Sequence, residues 1–481
     1  MADCSNFHFV TVGTSLRLVR NLWDRVAERA GYRVSHIVHP TYDRYQWLKC
    51  EGPANCHFFR DDLRESMPEA DTQFLASLES DGVPTVHNMI LGDRVVSKLE
   101  YVDALAFATL LGRRLLALYT QLKPSVVIGD FDALHSALGL AVARKLGIPW
   151  FALSFSTIPP GNVAVCSGLT PATAVVLESN RTLQMREYAQ NTLQAFESKI
   201  VRAPAYLPPR LLSWKVVLRQ FPSQVHSVLR VIKRRGMRRY RRYTDYPNTY
   251  SLRAMLQEAF RLRKNLLMLP RKSLIRGTGI AKYAFFGLHM QPEASIDVYA
   301  HFFSNQLRVV ELISRSLPPT HSLLIKLHKS DVPNYSTEYL ARFARLPGVK
   351  LVSPYADTLE LIRNAAVVFS IQGTIGLEAA LMGRPVIVFG ESRTLVFPNV
   401  SAFGKATDLP GLLQTKLMER VPHRDQIVDA FAKYLAPSYP ASENDWSITP
   451  ADMEIDRYVR LFQIMRHHLA SDSGAVEAAQ A

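Results

Sequence analysis

The sequence predicts an α/β protein made of two doubly wound, Rossmann-like lobes with a helical, basic insert between them. Three observations carry that prediction. The chain opens as strand, turn, helix and strand. Strands and helices alternate through 282–389. The stretch between is rich in proline and reads as helices without strands. With 481 residues, two or three domains are expected. Hydrophobic residues make up 48% and charged residues 21%, enough apolar material for a core in each lobe.

The first unit begins with the short apolar run 7–12 (FHFVTV). Gly13-Thr14-Ser15 forms a turn suited to cap a helix. Over 16–30, Leu18, Leu22, Val26 and Ala30 recur about one turn apart, Gly31 stops the helix, and 33–38 (RVSHIV) is the next strand. A parallel pair joined by a helix is a βαβ unit. A second such unit runs from the strand 125–129 through a helix over 135–146 to the strand 150–154. The N-terminal lobe therefore spans about 1–165. The insert, 166–275, has helical patterns over 180–200 and 252–266, broken by Pro204, Pro208, Pro209, Pro222 and Pro247. The second lobe, 276–420, places strands at 282–290, 322–328, 349–352, 366–371 and 385–389. Helices are expected at 301–317, 337–345, 357–364 and 373–382. Residues 421–481 read as C-terminal helices packing back toward the first lobe, with a helix over 452–468 and a loose tail, SDSGAVEAAQA.

Charge and cysteine usage narrow the function classes. Lys and Arg number 57 against 42 Asp and Glu, a net +15 that suits an anionic partner. Cys4, Cys50, Cys56 and Cys166 form no C-x-x-C pair, which fits a reducing compartment better than a disulfide framework. No signal peptide opens the chain, and the most apolar stretch, 104–119, is broken by Arg113 and Arg114. A cytoplasmic protein is expected, peripheral at most to the inner face of the cell membrane.

The strongest chemical signal is Ser370-Ile371-Gln372-Gly373-Thr374-Ile375-Gly376-Leu377-Glu378. A buried strand ends at a glycine and a helix starts at once. Ligands of parallel sheets bind beyond the carboxyl ends of the strands, and a helix N-terminus offers free N–H groups to phosphate. Thr374 adds a hydroxyl, and Glu378, one turn on, is expected to hold a ribose or sugar hydroxyl. Lys326-Leu327-His328-Lys329-Ser330 ends another strand, so His328 and Ser370 should face one crevice. There His328 and its lysines can stabilise a departing phosphate. Gln291-Pro292-Glu293, with Asp297, follows the first strand of this lobe. Glu293 or Asp297 is the candidate to meet the reacting sugar, as base, nucleophile or hydroxyl ligand.

The N-terminal lobe offers weaker signals on an acceptor side. Asp130-Phe131-Asp132 has the D-x-D spacing of metal-bound nucleotide-sugar sites, but its strand-end position suits a cleft-facing acid instead. His36 and His39 flank the end of the second strand. Gly13-Thr14-Ser15 is not G-x-G-x-x-G, so no dinucleotide fingerprint is present. In the insert, the run from Arg230 through Arg242 to Tyr243 holds eight basic residues and no acidic one. An anionic membrane surface is the expected partner, at roughly 1 kcal/mol per basic residue; no nucleic acid is expected.

With those residues in hand, the second lobe resembles the capsule polysaccharide biosynthesis family of bacteria, which includes Kdo transferases. The matching pieces are Gln291-Pro292-Glu293 with Asp297, Lys326-Leu327-His328, and Gly373-Thr374-Ile375-Gly376-Leu377-Glu378-Ala379-Ala380 followed by Gly383-Arg384-Pro385. The resemblance implies a GT-B fold, a nucleotide-sugar co-substrate (CMP-Kdo among the candidates), a glycan or glycolipid acceptor, and no required metal or other cofactor. The family's His-Pro pair is here His328-Lys329, and its Ser-Ser or Ser-Thr pair is replaced by Gln372-Gly373-Thr374. A nucleotide-sugar 2-epimerase on the same scaffold and a non-catalytic, membrane-associated assembly scaffold are the alternative readings.

Overall fold

The computed structural model describes residues 7–14, 19–38, 53–58, 67–131, 133–198, 282–291, 293–331, 335–441 and 451–480. In chain order the strands are β1 (His8–Thr14), β2 (Arg33–Val38), β3 (Cys56–His57), β4 (Val126–Gly129), β5 (Trp150–Phe155), β6 (Asn162–Cys166), β7 (Tyr283–Gly287), β8 (Ser322–Lys326), β9 (Val349–Val352), β10 (Val367–Ser370), β11 (Val386–Val388), β12 (Val400–Ala402) and β13 (Ser438–Pro440). The helices that frame them are α1 (Asp24–Ala30), α2 (Tyr101–Leu122), α3 (Ala133–Lys145), α4 (Ala294–Asp297), α5 (Gln306–Ser316), α6 (Thr337–Ala344), α7 (Thr358–Asn364), α8 (Thr374–Leu381) and α9 (Asp452–Gln480).

The chain divides into two compact units. The first takes Met1–Tyr188 and Leu435–Ala481, with a short middle piece; the second includes Tyr246–Tyr434. The first unit's sheet runs β13-β6-β5-β4-β1-β2-β3. β1 to β5 are parallel, whereas β6 is antiparallel to β5 and β13 is antiparallel to β6. The second unit's sheet runs β12-β11-β10-β7-β8-β9, parallel throughout. Its first strand, β7, and its fourth, β10, lie side by side, so the strand order reverses between them. That is the doubly wound order, and the reversal opens a crevice at the carboxyl edge.

Local chemistry sets these elements. β7 and β10 are buried along their whole lengths, as near-continuous apolar runs in a sheet covered on both faces must be. α5 buries Leu307, Val309, Val310 and Ile313 on one face, and the Asn305 side chain caps it by accepting from the Arg308 N–H at 3.2 Å. Asp357 caps α7, accepting from the Leu359 N–H at 2.9 Å. In the first unit, Ile455, Tyr458, Phe462 and Met465 of α9 lie in one core with Phe9, Trp23 and Val26. The Arg25–Asp452 and Arg29–Asp456 ion pairs, each 2.8 Å, flank that contact at the surface.

Four expectations are corrected. The helix drawn over 16–30 enters through a π-helical turn, Val19–Trp23, before α1. The one drawn over 301–317 is a 3-10 turn, His301–Phe303, followed by α5, because Asn305 caps a new start. The antiparallel strands β6 and β13 were not anticipated: their pairing joins segments far apart in sequence. The expected loose tail continues α9 as far as Gln480, in keeping with the helix propensity of its Ala and Glu residues. No helix of the described residues is long and apolar enough to cross a membrane.

Candidate functional site

The site is built at the carboxyl edge of β7, β8 and β10. β10 ends at Ser370, and three residues later Gly373 turns the chain at φ +97°, a backbone conformation that glycine adopts without strain. No side chain caps α8, so its first N–H groups face outward beside the exposed Gly373 and the half-buried Thr374. β7 ends in Gly287, where a Cβ would collide with Ile375; glycine lets the start of α8 settle on the end of β7. Ser370 has a different role from the expected one. Its hydroxyl donates to the Gln372 carbonyl at 3.0 Å and is nearly fully buried, so it shapes the turn. Gln372 itself is buried, and its amide Nε2 has no hydrogen-bond partner.

From the neighbouring β8 come the cations. Lys326, 8% exposed, makes no hydrogen bond or ion pair among the described residues. Burial pushes its pKa down to about 8, with Lys329 adding to the shift and Glu378 and Asp357 opposing it. Glu378 is thus within electrostatic reach of Lys326. It is buried one turn into α8, where it counters the lysine's charge. His328 is half-buried, and its Nδ1 is sealed from solvent without a partner. Burial, then Lys326 and Lys329, lower its pKa. That shift favours the neutral imidazole, which can donate or accept a hydrogen bond. The Tyr335 hydroxyl accepts from the His328 N–H at 3.3 Å. Lys329 and Ser330 belong to the 3-10 turn Lys329–Asp331. The Ser330 side chain lies outside the described residues.

The third wall is the segment after β7. Gln306, 2% exposed, clamps the His289 backbone from both sides: its Oε1 accepts from the His289 N–H at 2.8 Å and its Nε2 donates to the His289 carbonyl at 3.1 Å. Gln291 is fully engaged. Its amide donates to Asp297 Oδ1 (3.1 Å) and the Ser304 carbonyl (3.0 Å), its Oε1 accepts from Gln306 (2.9 Å), and its N–H reaches Asp331 Oδ2 at 3.3 Å. Asp297 accepts from Gln291 and, at 2.9 Å, from the Glu293 N–H. Gln291 and Asp297 therefore brace the loop, each against partners within the chain. Glu293 is half-buried, with one carboxylate oxygen accepting from the Ser295 hydroxyl.

His289 was missed in the sequence. A side-chain carbon at position 373 would lie 3.4 Å from its Cε1, so the ring stands over the glycine turn. His289 also feels His328 electrostatically. These two relations tie the Gly373 turn and His328 to one neighbourhood through the imidazole between them. The legible signal was position: His289 lies two residues past the end of the strand beside β10.

The first unit's candidates divide differently. His36 is completely buried, with Nδ1 2.7 Å from the Thr11 hydroxyl and Nε2 3.0 Å from Asp24 Oδ1. Both ring nitrogens are engaged, which corrects its assignment to an acceptor side. Asp130 stands at the carboxyl end of β4 and accepts from the Ser136 hydroxyl, with His135 Nε2 3.9 Å from its other oxygen. Asp132, His39 and the basic run 230–243 lie outside the described residues. Among the described residues no group of three or more His, Cys, Asp or Glu could hold a metal ion.

Two doubly wound α/β units in one chain are the composition of the GT-B class. No protein-family model matches the sequence, and no curated protein matches it. Solved structures similar to the chain include the KpsC β-Kdo 2,4-transferase of Thermosulfurimonas dismutans (11% identity, 87% of this chain and 89% of that one, TM-score 0.39). The β-Kdo 2,7-transferase of the same organism is also similar (12%, 94% and 99%, TM-score 0.39). A third is the UDP-GlcNAc 2-epimerase of Neisseria meningitidis (10%, 88% and 97%, TM-score 0.27).

Proposed function

We propose that the chain is a glycosyltransferase of the GT-B class. It would move a sugar from a nucleotide-sugar donor, CMP-Kdo being one candidate, to a bacterial surface polysaccharide or its lipid anchor. One observation carries the reading: a buried Lys326 ammonium, with no hydrogen bond or ion pair among the described residues, lies at the same sheet edge as the open N-terminus of α8. Burial outweighs the opposing pull of Glu378 and Asp357 on this cation, so an anionic ligand that adds counter-charge would be favoured. The helix end beside it favours the same kind of ligand, an anion such as a diphosphate or phosphodiester.

In this reading the glycosidic bond to phosphate breaks as negative charge gathers on the leaving oxygen. Lys326 and the α8 N–H groups hold that charge, and His328 donates a hydrogen bond to it. Glu293 meets the reacting sugar; Asp297, engaged in its loop, does not. Thr374 adds a hydroxyl at the phosphate. Asp130 remains the acceptor-side candidate, and the run from Arg230 to Arg242 would hold the enzyme at an anionic membrane surface.

The test is a calorimetric panel of CMP, UDP and GDP on the wild-type chain and His328→Ala, followed by product analysis with the matching nucleotide sugars. One nucleotide should bind, His328→Ala should lower transfer by about 10²-fold or more with the fold intact, and the sugar should appear on an acceptor. Release of a free epimerised sugar would instead identify an epimerase. Absence of binding by all three nucleotides would defeat the proposal.

A further inference from the structure

The proposed roles leave His289 unused, although a side chain at Gly373 would meet its ring. We propose that His289 is a ligand-contacting residue that hydrogen-bonds a hydroxyl of the transferred sugar; this rests on the nucleotide-sugar reading above.

Three observations support it. First, the residue is held in place from behind. Gln306 grips both its N–H and its carbonyl, at 2.8 and 3.1 Å, so the ring projects from a fixed backbone. Second, the residue is partly exposed, and neither ring nitrogen meets a hydrogen-bond partner among the described residues. Its hydrogen-bonding capacity is directed at something outside the fold. Third, its place in the chain lies between two parts of the proposed site. On one side is the glycine turn, where phosphate is expected and where a side-chain carbon at position 373 would lie 3.4 Å from Cε1. On the other, Gln291 and Glu293 lead into the loop that would meet the reacting sugar. A group between phosphate and reacting carbon faces the sugar.

The chemistry favours a hydroxyl over a phosphate. Burial, with His328 adding to it, pushes the His289 pKa down to about 3. The ring is neutral at any working pH, with one nitrogen donating and the other accepting. A phosphate only accepts, and Lys326 and the helix end already serve it. A hydroxyl both donates and accepts, and it requires no charge.

The experiment titrates UDP, CMP, UDP-N-acetylglucosamine, UDP-glucose and CMP-Kdo into the full-length wild-type chain, His289→Ala and His289→Asn, each checked for folding by thermal melt. The expected result is a nucleotide sugar bound about three- to tenfold more weakly by His289→Ala, the loss of one neutral hydrogen bond. The free nucleotide should be unaffected, and His289→Asn, which keeps a donor and an acceptor, should recover part of the loss. Equal weakening for nucleotide and nucleotide sugar would overturn the inference, as would no weakening at all. If the wild-type chain binds none of the five probes and no GDP either, the nucleotide-sugar reading fails and the inference falls with it.

Discussion

His36 and His328 invite comparison because they occupy related places. Each belongs to the second strand of its unit or to the turn just after it, and each of those strands pairs with the unit's first strand. In the first unit, Thr11, His36, Asp24 and Asn55 form a closed chain of contacts from 2.7 to 3.0 Å. At the second unit's edge, His328 Nδ1, Gln372 Nε2 and the Lys326 ammonium meet no partner among the described residues. Satisfied polar groups hold a core together, whereas buried unsatisfied ones gathered at a sheet's carboxyl edge fit a place for a ligand. What separates the two histidines is the completeness of their surroundings, not residue type.

The comparison can be broken most forcefully at His36. His36→Ala should cost about 2–4 kcal/mol of stability, from the cavity and from the stranded Thr11 hydroxyl. Denaturant unfolding would measure it, with nucleotide affinity of the folded fraction unchanged. A neutral result would mean that the first unit's polar chain is not structural.

Lys326→Met should act with the opposite sign. It removes a buried charge whose burial outweighs the attraction of Glu378 and Asp357, so the unliganded protein should gain on the order of 1–3 kcal/mol while nucleotide affinity falls. Loss of both stability and affinity would show that the lysine is already compensated within the fold.

The smallest effect is in pH. The folded pKa of Lys326 is about 8, below its unfolded value of 10.5. Between those values the unfolded chain binds more protons, so wild-type stability rises with pH through that window. Below it the penalty for the buried charge is complete. The advantage of Lys326→Met should therefore be full at about pH 7 and shrink as pH climbs from about 8 toward 10. A pH-independent difference between the two proteins would assign the effect to packing.

Much of this edge was legible from residues alone. The apolar run ending at Ser370, followed by Gly373 and a helix, located β10, the turn and α8 because a buried strand and a glycine turn leave local marks. Lys326 and His328 were legible for the same reason. What stayed hidden depends on adjacency. His289 matters because β7 lies beside β10, and no local pattern around His289 states that. Gln291 and Asp297 read as site residues because their types suit chemistry; only the contacts with Gln306, Ser304 and the Glu293 N–H show that they are engaged elsewhere. His36 was misread in the same way, since its partners Thr11 and Asp24 lie on separate elements.

The helix α9 has a consequence for how the protein is made. Its Ile455, Tyr458, Phe462 and Met465 complete a core begun by Phe7 and Phe9, and β13 completes the same unit's sheet. On a ribosome adding about 5–20 residues per second, the intervening residues 189–434 take roughly 10–50 s to emerge. The first-made strands must wait that long for their cover, while the second unit's sheet, contiguous from β7 to β12, has all its strands sooner. The region translated first is thus the last to have all its parts.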